Sequence, residues 1–336
     1  MRIHLLGTAA GGGVPQWNCN CAVCREARAG GGWVRSRTQS SVAISADGQG
    51  WFLLNASPDI RAQIENFPPL RPAGSTARNS PIEAVLLTNA DLDHTLGLLL
   101  LREGEKLRVH ATPEVRGALA EGVGFETVLG SFCGVEWIVP AAKADDKEAN
   151  PHPYPLPSDG RGRSGSSVEA GFGPRSLLRR DGAASGLSYE AIPLPGKPPR
   201  FMKSRMTADV GNVTGYRITD DKTGGRLLFL PDVSGLSENL LRWLPECDAL
   251  LFDGTFWSEN EMREQGVGTL AAADMGHVPI SGTTGSLKTL AKLQLQHKIY
   301  THINNTNPIL IEDSAERAAV EAAGCIVGRD GMEFEI

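Results

Sequence analysis

Residues 84–97 read AVLLTNADLDHTLG, and the fold is decided by how this stretch is read. An apolar run breaks into a short polar loop and then into a second apolar segment with the pattern of a helix start. Asp93 and His94 are neighbours in that loop, where adjacent side chains can converge on one cation. Other apolar runs end the same way. Asp232 closes the run in LLFLPDVSG, Asp253 in ALLFDGTFW and His302 in KIYTHINN. Ligands gathered at the ends of neighbouring strands are the usual way in which α/β folds build sites. His277, in DMGHVPISG, lies just before a helical segment and is placed to reach the same crevice.

Not every such residue carries chemistry. Asp253 taken alone reads as a turn former or helix N-cap. His4, His110, His152 and His297 read as structural histidines; His110 follows a strand but has no acidic neighbour. Asp93, His94, Asp232 and His302 stand apart by shared placement and composition. Two histidines and a carboxylate with open positions suit non-haem Fe(II). The competing reading of the same groups is an acidic pocket closed by its own hydrogen bonds.

Short apolar, β-branched runs recur at 3–6, 41–45, 51–55, 107–111, 135–139, 213–219, 226–230, 249–252, 299–301 and 325–327. Each is bounded by Gly, Pro, Asp or Asn and predicts a strand. Helical periodicity appears at 237–244, 285–296 and 312–323, the last ending at Gly324 as a C-cap. Hairpins early and strands alternating with helices later predict helices outside packed sheets. Residues 141–186 break the pattern with alternating prolines, then Gly, Ser and Arg, and read as a flexible insertion.

The balance of 33 Lys+Arg against 39 Asp+Glu gives a net charge of −6 and argues against binding nucleic acid through its phosphates. No run approaches the roughly 18 apolar residues of a membrane span. The opening MRIHLLGTAAGGG lacks a signal-peptide pattern, so a cytoplasmic, reducing location is expected. Three of the six cysteines, Cys19, Cys21 and Cys24, form a C-x-C-x-x-C run. Three thiolates in a tight loop can share one ion, and zinc is its natural occupant, with a fourth ligand drawn from elsewhere. An iron–sulfur centre would want a fourth cysteine nearby.

Taken together, GTAAGGGVPQWNCNCAVC, LLNASPDIRAQI, LLTNADLDHTLGLLLLREG, MGHVPISG and YTHINNTNPIL resemble the family of coenzyme PQQ biosynthesis protein B. The resemblance spans the chain apart from the insertion. It implies a single metallo-β-lactamase-like domain over 1–336, a four-layer αββα sandwich with its site at one edge. It implies a role in making pyrroloquinoline quinone (PQQ) from a cross-linked Glu-Tyr precursor, alongside other PQQ biosynthesis proteins. Two activities go with the family: iron-dependent hydroxylation of the tyrosine-derived ring, or a soluble carrier role in transport of PQQ or its precursor to the periplasm. A metal-dependent hydrolase is the third possibility.

Hydrolases of this fold carry His-x-His-x-Asp-His, and the matching residues here are Asn89, Asp91, Asp93 and His94. The two leading histidines are absent, as is one expected near Pro195–Lys197. Asp93, His94, Asp232 and His302 match the second metal position, so the resemblance implies one active-site metal, Fe(II), with zinc an alternative occupant as purified. His277 matches an acid or base of related phosphodiesterases, and Asp232 is carried with it as a catalytic candidate. The cysteine run resembles a structural zinc site whose fourth ligand falls at Asn305.

Overall fold

The structure, a computed structural model, describes residues 1–141, 175–180 and 182–336. Its strands form two mixed seven-stranded sheets. The first runs in the order β14 (Met332–Glu335), β1 (Arg2–Gly7), β2 (Ser41–Ser45), β3 (Trp51–Leu54), β4 (Ile82–Leu86), β5 (Leu107–His110) and β6 (Val135–Ile138). The second runs β13 (Ile326–Val327), β12 (His297–Thr301), β11 (Ala249–Asp253), β10 (Arg226–Leu230), β9 (Asp209–Asp220), β8 (Ala183–Gly196) and β7 (Ser176–Arg180). In each sheet antiparallel hairpins on one side give way to parallel strands on the other.

The parallel strands are apolar on both faces because both faces are covered. In β10 and β11, Leu227, Phe229 and Leu251 point inward to meet Phe52, Ile44 and Leu86 of the first sheet. Leu228, Leu230 and Phe252 point outward, against helices that contribute Val23, Leu240 and Val320. The outer face of the first sheet packs Leu53, Val85 and Val109 against Ile60, Val115 and Leu129 of its own helices. The layers are thus helix, sheet, sheet, helix, the αββα sandwich expected. Among the described residues no helix is long and apolar enough to cross a membrane.

Several elements depart from expectation. Most of the 141–186 stretch lies outside the described residues, but its end is ordered: 176–180 is β7, and β8 begins at 183. Leu178 and Leu187 are fully buried between the sheets, and antiparallel pairing of Ser176 with Tyr189 and Arg180 with Ala183 holds the hairpin. Few apolar residues mark these strands, so their pairing was hidden. β8 is 14 residues long and was missed because Pro193 and Pro195 interrupt its pattern. Helix 285–296 shrinks to one turn, Leu287–Leu290. The buried Lys298 Nζ takes the carbonyls of Leu290 and Leu293, and also that of Ala323 at the end of helix Ala315–Ala322. One ammonium therefore satisfies two chain ends that would otherwise leave acceptors unpaired. A helix not anticipated, Ala22–Ala29, follows the cysteine run.

His110, at the end of β5, crosses to the other sheet, its Nδ1 lying 2.8 Å from the Tyr189 hydroxyl. Burial, reinforced by Arg108, pushes its pKa down to about 4. The unfolded chain takes up a proton on this imidazole below about 6.5, whereas the folded chain does not until about pH 4. Stability from this site is therefore full above pH 6.5 and is lost as pH falls through that window. The melting temperature should drop more steeply between pH 6.5 and 4 in the wild type than in His110→Gln. Parallel curves would remove His110 from the account.

Candidate metal centre

Apart from His277, which follows the helical turn Ala272–Met275, the side chains of the centre follow the C-terminal ends of parallel strands. Thr88, Asn89, Asp93 and His94 follow β4; Asp232 follows β10, Asp253 ends β11, and His302 follows β12. The sheets thus bring together residues more than two hundred positions apart. His94 lies in the helical turn Leu92–Thr95. Its carbonyl accepts from Ala56 N, and Gly97 N donates to Ala56 O, both at 2.8–2.9 Å. Gly97 is needed for this approach, since a Cβ there would lie 2.4 Å from Ser57 O.

His302 has a left-handed backbone, φ 55°, which a side chain with a Cβ adopts only under constraint. Thr255 supplies the constraint. Its Oγ1 donates to the His302 carbonyl at 2.9 Å or to Asp253 Oδ1 at 2.7 Å, and lies 2.9 Å from His302 Nδ1. With Nδ1 so engaged, His302 Nε2 turns to the carboxylates, 3.3 Å from Asp93 Oδ2 and 4.0 Å from Asp232 Oδ1. Asp253 is fully buried and accepts from Val233 N, Thr255 N and His277 Nδ1, the last at 2.8 Å. It is no mere turn former: it aims His277.

Two groups of metal-ligating atoms result, each within 4.8 Å: Asp93, His94 and His302, and Asp232, His277 and His302. His302 is common to both. His94 Nε2 is buried without a hydrogen-bond partner, the Asp93 carboxylate being 3.9 Å away. One carboxylate and two imidazoles around an unused lone pair are a donor set that fits a divalent cation.

Electrostatics follow the geometry. Burial resists ionisation of Asp93, but facing His94 and His302 its carboxyl sits well below the ordinary range. Burial works against charge on His302, yet Asp232 and Asp93 outweigh it and push the imidazole up to about 9. His277 is raised, because Asp253 outweighs burial. His94 is lowered by burial despite Asp232 and Asp93. Asp91 is pushed up to about 7 by burial and by repulsion from Asp93 and Asp232.

The cysteine run forms a second cluster. Cys19, Cys21 and Cys24 bring their sulfurs within 4.8 Å of one another. Cys21 caps helix Ala22–Ala29, its sulfur accepting from Cys24 N, so the loop and the first helical turn together shape the cluster. Asn305 sits against it, Nδ2 being 3.3 Å from Cys24 Sγ and 3.7 Å from Cys21 Sγ. A half-turn of the carboxamide would present its oxygen instead. Asn305 lies three residues beyond His302, so one turn touches both clusters.

The structure places every residue singled out from the sequence in one of these two clusters. Thr255 and Thr88 were missed, because a threonine after a strand carries no signal of its own. The Asp-Gly-Thr spacing at 253–255 is the only hint. His4, His110 and His297 lie elsewhere and pack against Phe67, Tyr189 and Phe334. His152 is outside the described residues.

A family profile for a beta-lactamase superfamily domain matches residues 50–303. The Coenzyme PQQ synthesis protein B of Methylorubrum extorquens is 39% identical over the full length of both chains. Its namesake in Nitrosococcus oceani is 39% identical over 99% of each. The crystal structure of Zn(2+)-bound PqqB from Methylobacterium extorquens superposes with a TM-score of 0.83 at 38% identity, covering both chains completely. A diphosphatase from the PhnP family shares the fold, with a TM-score of 0.61 at 18% identity over 100% of this chain and 97% of that one.

Proposed function

This chain belongs to the coenzyme PQQ synthesis protein B family of the beta-lactamase superfamily, and from that premise we propose that it acts in PQQ biosynthesis as an Fe(II)- and O2-dependent hydroxylase of the tyrosine-derived ring of a cross-linked Glu-Tyr precursor. The observation that carries the reading is the convergence of Asp93, His94 and His302 around a buried, unpartnered imidazole nitrogen. These three residues would hold the metal, with Asp232 as a further ligand or hydrogen-bond partner. When bound, Fe(II) supplies the one-electron chemistry that lets O2 react with a closed-shell phenol. Cys19, Cys21 and Cys24, with Asn305 beside them, would hold a structural zinc.

Each remaining residue has a task set by its hydrogen bonds. Asp253 holds His277 by Nδ1, which leaves Nε2 free on the side facing Asp232 and His302. His277, its pKa raised because Asp253 outweighs burial, is the group placed to give or take a proton beside the ring. Thr255 holds His302 and His277 in register through one hydroxyl, 2.9 and 3.2 Å from their Nδ1 atoms. Where related hydrolases carry a further histidine, Lys197 ties itself to the carbonyls of Ala273 and Asp274, which favours one metal over two.

The test is anaerobic loading with Fe(II), then labelled O2 with the cross-linked precursor. The balanced change is phenol plus O2 to ortho-quinone plus water, with no external reductant. One labelled atom should enter the ring and one should leave as water. Product without label overturns the hydroxylase reading, and no product at all overturns it in favour of the carrier role.

A further inference from the structure

We infer that the carboxamide of Asn89 is a positioning residue: it sets the ring tautomer of His94 and the aim of Asp232, and so keeps His94 Nε2 available to a metal. This rests on the metal assigned to the centre above. It does not depend on the oxidative chemistry.

The argument starts from a group that can only donate. The backbone N–H of Asp91 meets Asn89 Oδ1 at 2.9 Å, so the atom it meets is the amide oxygen. Nδ2 is then on the other branch, and it lies 3.1 Å from Asp232 Oδ2, a carboxylate that can only accept. The two contacts agree, and the orientation of the amide is settled by the chain itself. His94 Nδ1 lies 3.0 Å from the same Oδ1. An amide oxygen has no proton to give, so Nδ1 must carry the hydrogen. A neutral imidazole with its proton on Nδ1 has its lone pair on Nε2.

The alternative tautomer is costly. A proton on Nε2 would be a buried donor with no acceptor in reach, and Nδ1 would turn a lone pair on an oxygen, so both groups would bear the desolvation penalty of an unmade buried hydrogen bond. Thr88 supports the arrangement from behind. Its hydroxyl, 3.2 Å from His94 Nδ1, is held at 2.9 Å by Asn55 Nδ2. Asparagine suits position 89 because one small side chain offers an acceptor to His94 and a donor to Asp232. Aspartate would put like charge against Asp232, and leucine would leave both partners unpaired.

The experiment uses Co(II) as a probe, added to the full chain without O2 or ring substrate, following the ion that binds without thiolate charge-transfer absorption. Two variants are compared with the wild type: Asn89→Leu, of similar size, and Asn89→Ala, which admits water and folds even if leucine does not. The wild type should show a paramagnetically shifted, slowly exchanging ring N–H from His94. Both variants should lose that signal and bind Co(II) about 10–100-fold more weakly, the usual loss when the hydrogen-bond partner of a metal-ligating histidine is removed. A folded variant that binds within twofold of wild type overturns the inference. So does weaker binding with the signal retained, since Asn89 would then act by another route. A wild type without the signal overturns it as well. Failure here leaves the labelled-oxygen result untouched, and the reverse also holds.

Discussion

His302→Ala is expected to empty the aspartate–histidine centre and to end oxygen incorporation. His302 is the one residue common to both groups of ligating atoms, so its removal dismantles either arrangement, whereas His94→Ala spares the group of Asp232, His277 and His302. Loss of a ligand should exceed the roughly 10–100-fold weakening caused by loss of a ligand's hydrogen-bond partner. Elemental analysis should show no metal beyond that held by the cysteines. His302→Gly should lose the metal equally but be more stable than His302→Ala by about 1 kcal/mol, because glycine adopts φ 55° without a Cβ penalty. A His302→Ala protein that keeps its metal and its label incorporation would refute the assignment of this centre.

Cys21→Ser is expected to release zinc and to destabilise the fold by more than any other single surface-loop change. Serine is a good helix N-cap, so helix Ala22–Ala29 keeps its first hydrogen bond and the loss can be charged to the metal. Structural zinc contributes folding free energy directly. A loss of about 4 kcal/mol would be in the range that single substitutions seldom reach. By the usual entropy of unfolding per residue it would lower Tm by about 6 °C in a chain of this length. The cluster touches Asn305, and Asn305 shares a turn with His302, so affinity at the second centre should fall modestly too. Cys247→Ser, buried elsewhere against the Leu244 carbonyl, is the control and should leave the zinc in place. Unchanged zinc and Tm in Cys21→Ser would dismiss the structural-zinc reading.

What the sequence determined by itself is local. Strands such as β10 and β11 are legible because four consecutive apolar residues between turn formers can do little else. Asp232 and His302 are legible because each closes such a run, Asp93 and His94 because they are neighbours in the polar loop that follows one, and the cysteines because their spacing lets three sulfurs meet. The shared hydrophobic pattern also conveys the layered class, since strands apolar on both faces must be covered on both. The tertiary structure alone decided the rest. β7 and the start of β8 carry too little apolar signal of their own and exist because they pair with each other and bury Leu178 and Leu187. The one-turn helix at Leu287–Leu290 ends where Lys298, from a later strand, captures its carbonyls. Asp253 and Thr255 became parts of the centre, and Asn89 came to aim Asp232, only through partners 20 to 143 positions away. Hydrogen bonds of that range depend on direction as well as on residue type, and direction is set by how the two sheets close on each other.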